Sequence, residues 1–178
     1  MSALISLPTN IKVDDALFTF LRDCDGDEYA NEKDLENALL EYLCKTKKYQ
    51  AKSQVACDGK DDSKDGHVVK EFAKAGEQVI DIVIKTIDGY YPIELKFEEN
   101  SESELKEDLA KISFYKKHYS DINDGCVLLL TSKANCPWQE DLNKVPQNEK
   151  YSYVLMGTKT NTKEENTISF KERWDAKK

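Results

Sequence analysis

Arginine is scarce in this chain: of 26 basic residues only Arg22 and Arg173 are arginine. Bidentate clamps on phosphate or guanine are therefore few, since that geometry belongs to the guanidinium fork. Glycine (7) and proline (4) are also sparse, which excludes a collagen-like chain, a flexible linker and a low-complexity tail. The two histidines, His67 and His118, stand alone and no cysteine pair has ligand spacing, so a zinc site is not expected. The five cysteines, at 24, 44, 57, 126 and 136, are odd in number and scattered, and read as free thiols of a reducing cytoplasm. No apolar stretch approaches the roughly 18 residues of a membrane span; the strongest is the five-residue run from Cys126 to Leu130. Met1 to Ile11 lacks a basic region ahead of an apolar one, so no secretory signal is expected and the chain reads as cytoplasmic, with no membrane partner. Neither a phosphate-binding P-loop nor a Gly-rich dinucleotide fingerprint is present.

What remains is ordinary globular material with an uneven charge. The 178 residues are 39% apolar and 34% charged, enough for a single domain with a real core. Formal net charge is −8, and the acid excess is concentrated: residues 1–40 hold nine acids against three bases, and residues 71–110 hold eleven against four. A nucleic-acid-binding protein ordinarily shows a basic footprint, because phosphate contacts dominate affinity. Taken alone, this balance favours a basic partner over a nucleic acid.

Hydrophobic patterning predicts the elements. Residues 10–23 read as a short helix, followed by a turn around Gly26. The segment from Glu32 to Cys44 is the clearest amphipathic helix: at about 100° per residue, Leu39, Leu43 and Leu40 fall roughly 40°, 80° and 140° from Leu35. Glu32 and Glu36 lie inside that stripe. An inward carboxylate is costly unless paired, so Glu32 is expected to fray or snorkel outward at the helix start. A strand is expected over 48–57, then a polar loop over 58–66. Two strand-type runs follow, Val79 to Lys85 and Tyr90 to Phe97, joined by Ile87-Asp88-Gly89, where Asp-Gly is the favoured chemistry of a tight hairpin. Pro92 belongs near the start of its strand or at a bulge. A helix is expected from Asn100 or Ser101, with Ser101 and Glu104 in capping-box spacing and Leu105, Leu109, Ile112 and Tyr119 on one face. Cys126 to Thr131 reads as a continuous buried strand. A small helix after Pro137, reaching Asn143, and strands over 151–156 and 167–170 complete the chain.

Chemistry concentrates in the hairpin. Asp81 lies in its first strand, and Glu94 and Lys96 are two apart in its second, so they share a face. Pairing of the strands brings Asp81 toward that pair. Two carboxylates converging near a lysine suit one or two Mg²⁺ ions, which prefer hard oxygen ligands. Ions of that kind lower the pKa of a bound water and offset charge on a phosphate, so the arrangement fits phosphodiester hydrolysis. The bland alternative is that Glu94 and Lys96 make a solvated salt bridge on an exposed sheet face.

Ile80-Asp81-Ile82-Val83-Ile84 and Ile93-Glu94-Leu95-Lys96, with twelve residues between Asp81 and Glu94 across a tight turn, resemble the two halves of the PD-(D/E)XK nuclease motif. The resemblance spans about residues 30–131 and implies an α/β (α+β) restriction-endonuclease-like fold. Its expected form is an αβββαβ core with a mixed central sheet flanked by helices. Residues 132–178 would then be a C-terminal helix and β extension of a single domain. It further implies that Asp81, Glu94 and the Leu95 carbonyl bind Mg²⁺ (or Mn²⁺), and that Lys96 handles the attacking water. Glu36, which matches the glutamate often found on the first core helix, would tune or complete the site, and Lys111, four before Tyr115, would touch DNA or RNA substrate. The residue before Asp81 is Ile80 where the family often has proline, and the acids at 98, 99, 102 and 104 would repel nucleic acid.

A reading of a different class fits the same charge balance: an inactive acidic binding protein on this fold, such as an immunity or inhibitor protein masking a basic partner like a toxin. Either reading is compatible with an oligomer. Two further acidic stretches, Asp23 to Glu28 and Asp61 to Gly66, faintly resemble calcium loops. The first has its glycine in the wrong place, and the second has Phe72 where a bidentate glutamate is needed, so both read as solvated turns.

Overall fold

The computed structural model describes residues 7–56, 79–98, 102–118, 122–132, 134, 151–158 and 167–168. The expected loop over 58–66 with the second calcium-like stretch, the helix after Pro137, and Tyr119 lie outside the described residues.

Two helices open the chain. Helix α1 (Asn10–Asp23) starts at Thr9, whose hydroxyl accepts from the Lys12 N–H at 3.3 Å, and buries Val13, Ala16, Leu17, Phe20 and Leu21. The first calcium-like stretch is a short turn over Gly26–Glu28, in which Asp25 caps the Asp27 N–H. Helix α2 (Glu32–Glu41) is capped by Asn31 and widens into one π-type turn over Tyr42–Thr46. Its leucine stripe is as expected: Leu35, Leu39 and Leu43 are fully buried.

The strands are β1 (Ala51–Ala56), β2 (Val79–Thr86), β3 (Gly89–Phe97), β4 (Cys126–Ser132), β5 (Tyr151–Thr158) and β6 (Thr167–Ile168). Helix α3 (Glu102–His118) joins β3 to β4. The sheet runs β1-β2-β3-β4-β5-β6, antiparallel throughout except between β3 and β4. That one parallel pair needs a crossover, and α3 supplies it. The chain is thus a mixed α/β fold built on a mixed sheet with helices packed against it. Between β2 and β3, Gly89 turns the hairpin at a φ of 122°, a conformation that favours glycine. Cys126 to Thr131 is buried along its whole length, as expected for an interior strand. Among the described residues Cys24, Cys44 and Cys126 form no disulfide, and no helix is long and apolar enough to cross a membrane.

Strand alternation divides the packing between two layers. Tyr91, Ile93, Leu95 and Phe97 share one face of β3. The Tyr91 hydroxyl donates to Asp14 of α1, and the Phe97 ring meets Tyr29 edge-on at 6.5 Å. Phe20 and Tyr42 tie α1 to the end of α2 with ring centroids 5.3 Å apart. Pro92, Glu94 and Lys96 share the opposite face, which α3 covers through Tyr115 and Asp108. At the start of β4, Gly125 permits a close approach: a Cβ there would stand 2.9 Å from the ring and the carbonyl oxygen of Pro92 and 3.2 Å from Ile112.

Candidate functional site

The β2–β3 ladder runs in register from Thr86–Gly89 to Ile82–Ile93. One step further, Asp81 stands across from Glu94, and its side chain enters the hydrogen-bond pattern: the Leu95 N–H donates to Asp81 Oδ2 at 2.7 Å. The β1–β2 register likewise passes over the facing position, where Gln54 takes a left-handed φ of 50°. On the β1 side the backbone is thus irregular, and on the β3 side the ladder stops, at the level of Asp81.

Asp81 and Glu94 meet directly, sharing a side-chain hydrogen bond. Glu94 is only 2% exposed and also accepts from the Tyr115 hydroxyl at 3.3 Å. Burial, reinforced by the neighbouring Asp81 charge, pushes its carboxyl up to about 8. At neutral pH Glu94 therefore favours its protonated form. Burial raises Asp81 as well, opposed by the Leu95 N–H and by the positive charge of Lys96.

Lys96 is half-buried, and among the described residues its ion pair is with Asp108 of α3, Nζ to Oδ2 at 3.1 Å. Burial works to lower its pKa, but the Asp108 charge outweighs this and raises it. Lys111, one turn along α3, donates to the other oxygen of Asp108 at 2.6 Å. The exposed Glu94–Lys96 salt bridge is therefore not what forms: one partner is buried and the other is held by the helix.

Glu36 is buried, as its helical phase implied, and both of its oxygens are engaged. Lys33 Nζ lies 2.6 Å from Oε1, and Gln54 Nε2 donates to Oε2 at 2.7 Å. It does not join the Asp81–Glu94 contact, although its negative charge helps to raise Asp81. Glu32 departs from expectation. It is half-buried, hydrogen-bonded to the Phe97 main chain and close enough to feel Lys96, Asp81 and Asp108; burial raises its pKa and Lys96 opposes the rise.

Of the residues singled out from sequence, Asp81, Glu94, Lys96 and Lys111 gather on one side of β3. Glu36 stands at its edge with its own partners. Asp108 and Glu32 were the ones missed. A signal for Asp108 was present: on the α3 wheel it falls between Ile112 and Tyr115, about 60° from Leu105. Among the described residues no three acidic, histidine or cysteine side chains converge as a preassembled cation site. The Asp81 and Glu94 carboxyl groups are hard-oxygen donors of the kind a divalent cation prefers, and such binding would require Glu94 to lose its proton. Comparison with family models, curated proteins and solved structures gives no match.

Proposed function

We propose that this chain is a metal-dependent phosphodiesterase of the PD-(D/E)XK type acting on nucleic acid. The observation that carries the proposal is the meeting of Asp81 and Glu94 at the point where the hairpin ladder ends, with Lys96 on the same face of β3. The element order from α2 to β4, with its single parallel strand pair, is that expected of a restriction-endonuclease-like core.

In this reading Asp81, Glu94 and the Leu95 carbonyl hold Mg²⁺ or Mn²⁺. When bound, the ion supplies a more acidic water and offsets charge on the phosphate. The chain's own groups do the rest. Glu94 gives up its proton and offers a carboxylate, and the Leu95 N–H keeps Asp81 turned toward it. Lys96 holds the attacking water or meets the phosphate oxygens, while Lys111 meets substrate from α3. Glu36, fixed by Lys33 and Gln54, sustains the negative field along the edge of the site.

One observation favours a second reading. Lys96 is paired with Asp108, and the chain as a whole is acidic, which suits a binding protein that masks a basic partner. Cleavage of plasmid, linear duplex and single-stranded DNA or RNA with Mg²⁺, Mn²⁺ or EDTA separates the two. Metal-dependent cutting that is lost in Asp81→Ala and Lys96→Ala is the expected result. A folded protein that does not cut would overturn the nuclease and leave the binder, and cutting that survives both substitutions would retire the Asp81–Lys96 site.

A further inference from the structure

Asp108 is a single carboxylate, 2% exposed, that receives two lysines from two different elements. Lys111 of α3 approaches Oδ1 at 2.6 Å and Lys96 of β3 approaches Oδ2 at 3.1 Å. The two contacts differ in kind. Lys111 makes a hydrogen bond within its own helix, three residues on, whereas among the described residues Oδ2 is met by the longer ion pair to Lys96. Burying a carboxylate that serves only local helix structure is costly, and an apolar side chain between Ile112 and Tyr115 would pack without that cost. What the carboxylate adds is a common anchor for two ammonium groups on separate elements, Lys111 close enough to act on Glu94 and Lys96 on Asp81. The three groups together keep one positive charge.

We infer that Asp108 is a positioning residue that yokes Lys96 to Lys111, so that the two ammonium groups receive one phosphate group as a unit. This rests on the phosphodiesterase reading and deepens it: the yoke selects a phosphate oxyanion as the group brought to the Asp81–Glu94 edge. Without the yoke, two flexible lysine side chains would each have to be ordered when the anion binds, at a cost in conformational entropy.

Charge alone and positioning predict opposite results for Asp108→Asn. Removing a negative charge beside two lysines strengthens the local positive field and should tighten anion binding. Loss of the yoke should weaken it. The experiment is acylation of the folded full chain, read by peptide mass spectrometry as a function of inorganic phosphate, with exposed Lys33 and Lys45 as internal controls. In the parent, phosphate is expected to protect Lys96 and Lys111 along one concentration curve and leave the controls unchanged. In Asp108→Asn the concentration for protection should rise by about tenfold or more, as for loss of a charge-assisted contact, and the two curves should separate. Asp108→Glu should restore part of the joint protection.

Lys111→Met leaves Asp108 in place and covers the case in which Asp108→Asn does not fold: Lys96 should then lose its phosphate protection too. Tighter protection in Asp108→Asn, independent curves in the parent, or full protection of Lys96 in Lys111→Met would each overturn the inference. The outcome is separable from cutting. Joint protection in a protein that cuts nothing would retain the yoke and retire the nuclease, and cutting without joint protection would do the reverse.

Discussion

On one face of β3, Tyr91, Ile93 and Leu95 are fully buried beneath α1 and α2, and the main polar tie is the Tyr91 hydroxyl on Asp14. On the other face, Pro92 gives way within two residues to Glu94 and then Lys96, both covered by α3. The same strand, in the same sheet, therefore serves two ends. The first face is held by apolar burial, which is non-directional and tolerant of detail. The second keeps charges in a low-dielectric setting, where they weaken the fold unless each finds a partner. Glu94 meets that demand by staying protonated, Lys96 by taking Asp108, and Asp81 by accepting a main-chain N–H that the ladder no longer uses. A fold needs the first face, whereas the second weakens it and, on the reading proposed above, is retained for function.

Substitutions should fall into two classes accordingly. The largest effect is expected on the apolar face: Ile93→Ala removes a fully buried side chain and should cost about 2–5 kcal/mol in chemical denaturation, at any pH. On the charged face the largest effect should depend on pH. Folding raises the Glu94 carboxyl from 4.5 to about 8. Between those values the folded chain holds a proton that the unfolded chain has released, so stability falls as pH rises through that window and levels off above it. At about 1.4 kcal/mol for each pH unit crossed, the decline should amount to a few kcal/mol. Glu94→Gln should flatten it and make the protein more stable than its parent at pH 9, while abolishing any metal-dependent cutting. An equally steep decline in the variant would show that the two faces do not differ as described.

Smaller effects sharpen the contrast. Gly125→Ala places a Cβ against Pro92 and Ile112 and should cost about 1–3 kcal/mol by overpacking under α3. Tyr91→Phe strips Asp14 of a buried donor and should cost about 1–2 kcal/mol, which thermal melting at neutral pH would resolve.

Much of this division could be read before the structure. The alternation through β2 and β3, the Asp88-Gly89 turn and the leucine stripe of α2 are local patterns, and each produced the element it implied. The convergence of Asp81 on Glu94 followed from the hairpin alone. What escaped were consequences of register and long-range packing. Glu32 looks like a frayed helix start in sequence because its partners, Phe97 and Lys96, lie more than sixty residues away. Strand spacing pairs Lys96 with Glu94, its neighbour on β3, whereas its partner comes from a helix whose rotation only the β3–α3–β4 crossover sets. The irregular backbone of Gln54 has no sequence signature, because nothing in residues 51–56 marks where β1 meets Asp81.

On the proposed reading, a divalent cation binding at the Asp81–Glu94 pair displaces a proton from it. Calorimetric titration of Mn²⁺ and Mg²⁺ into the protein at pH 7, in two buffers of different ionisation enthalpy, measures binding and proton release together. Each ion bound at this pair should release about one proton, the release should fade as pH rises past about 8, and both binding and release should vanish in Asp81→Ala. No binding, or binding that releases no proton and survives Asp81→Ala, would contradict it.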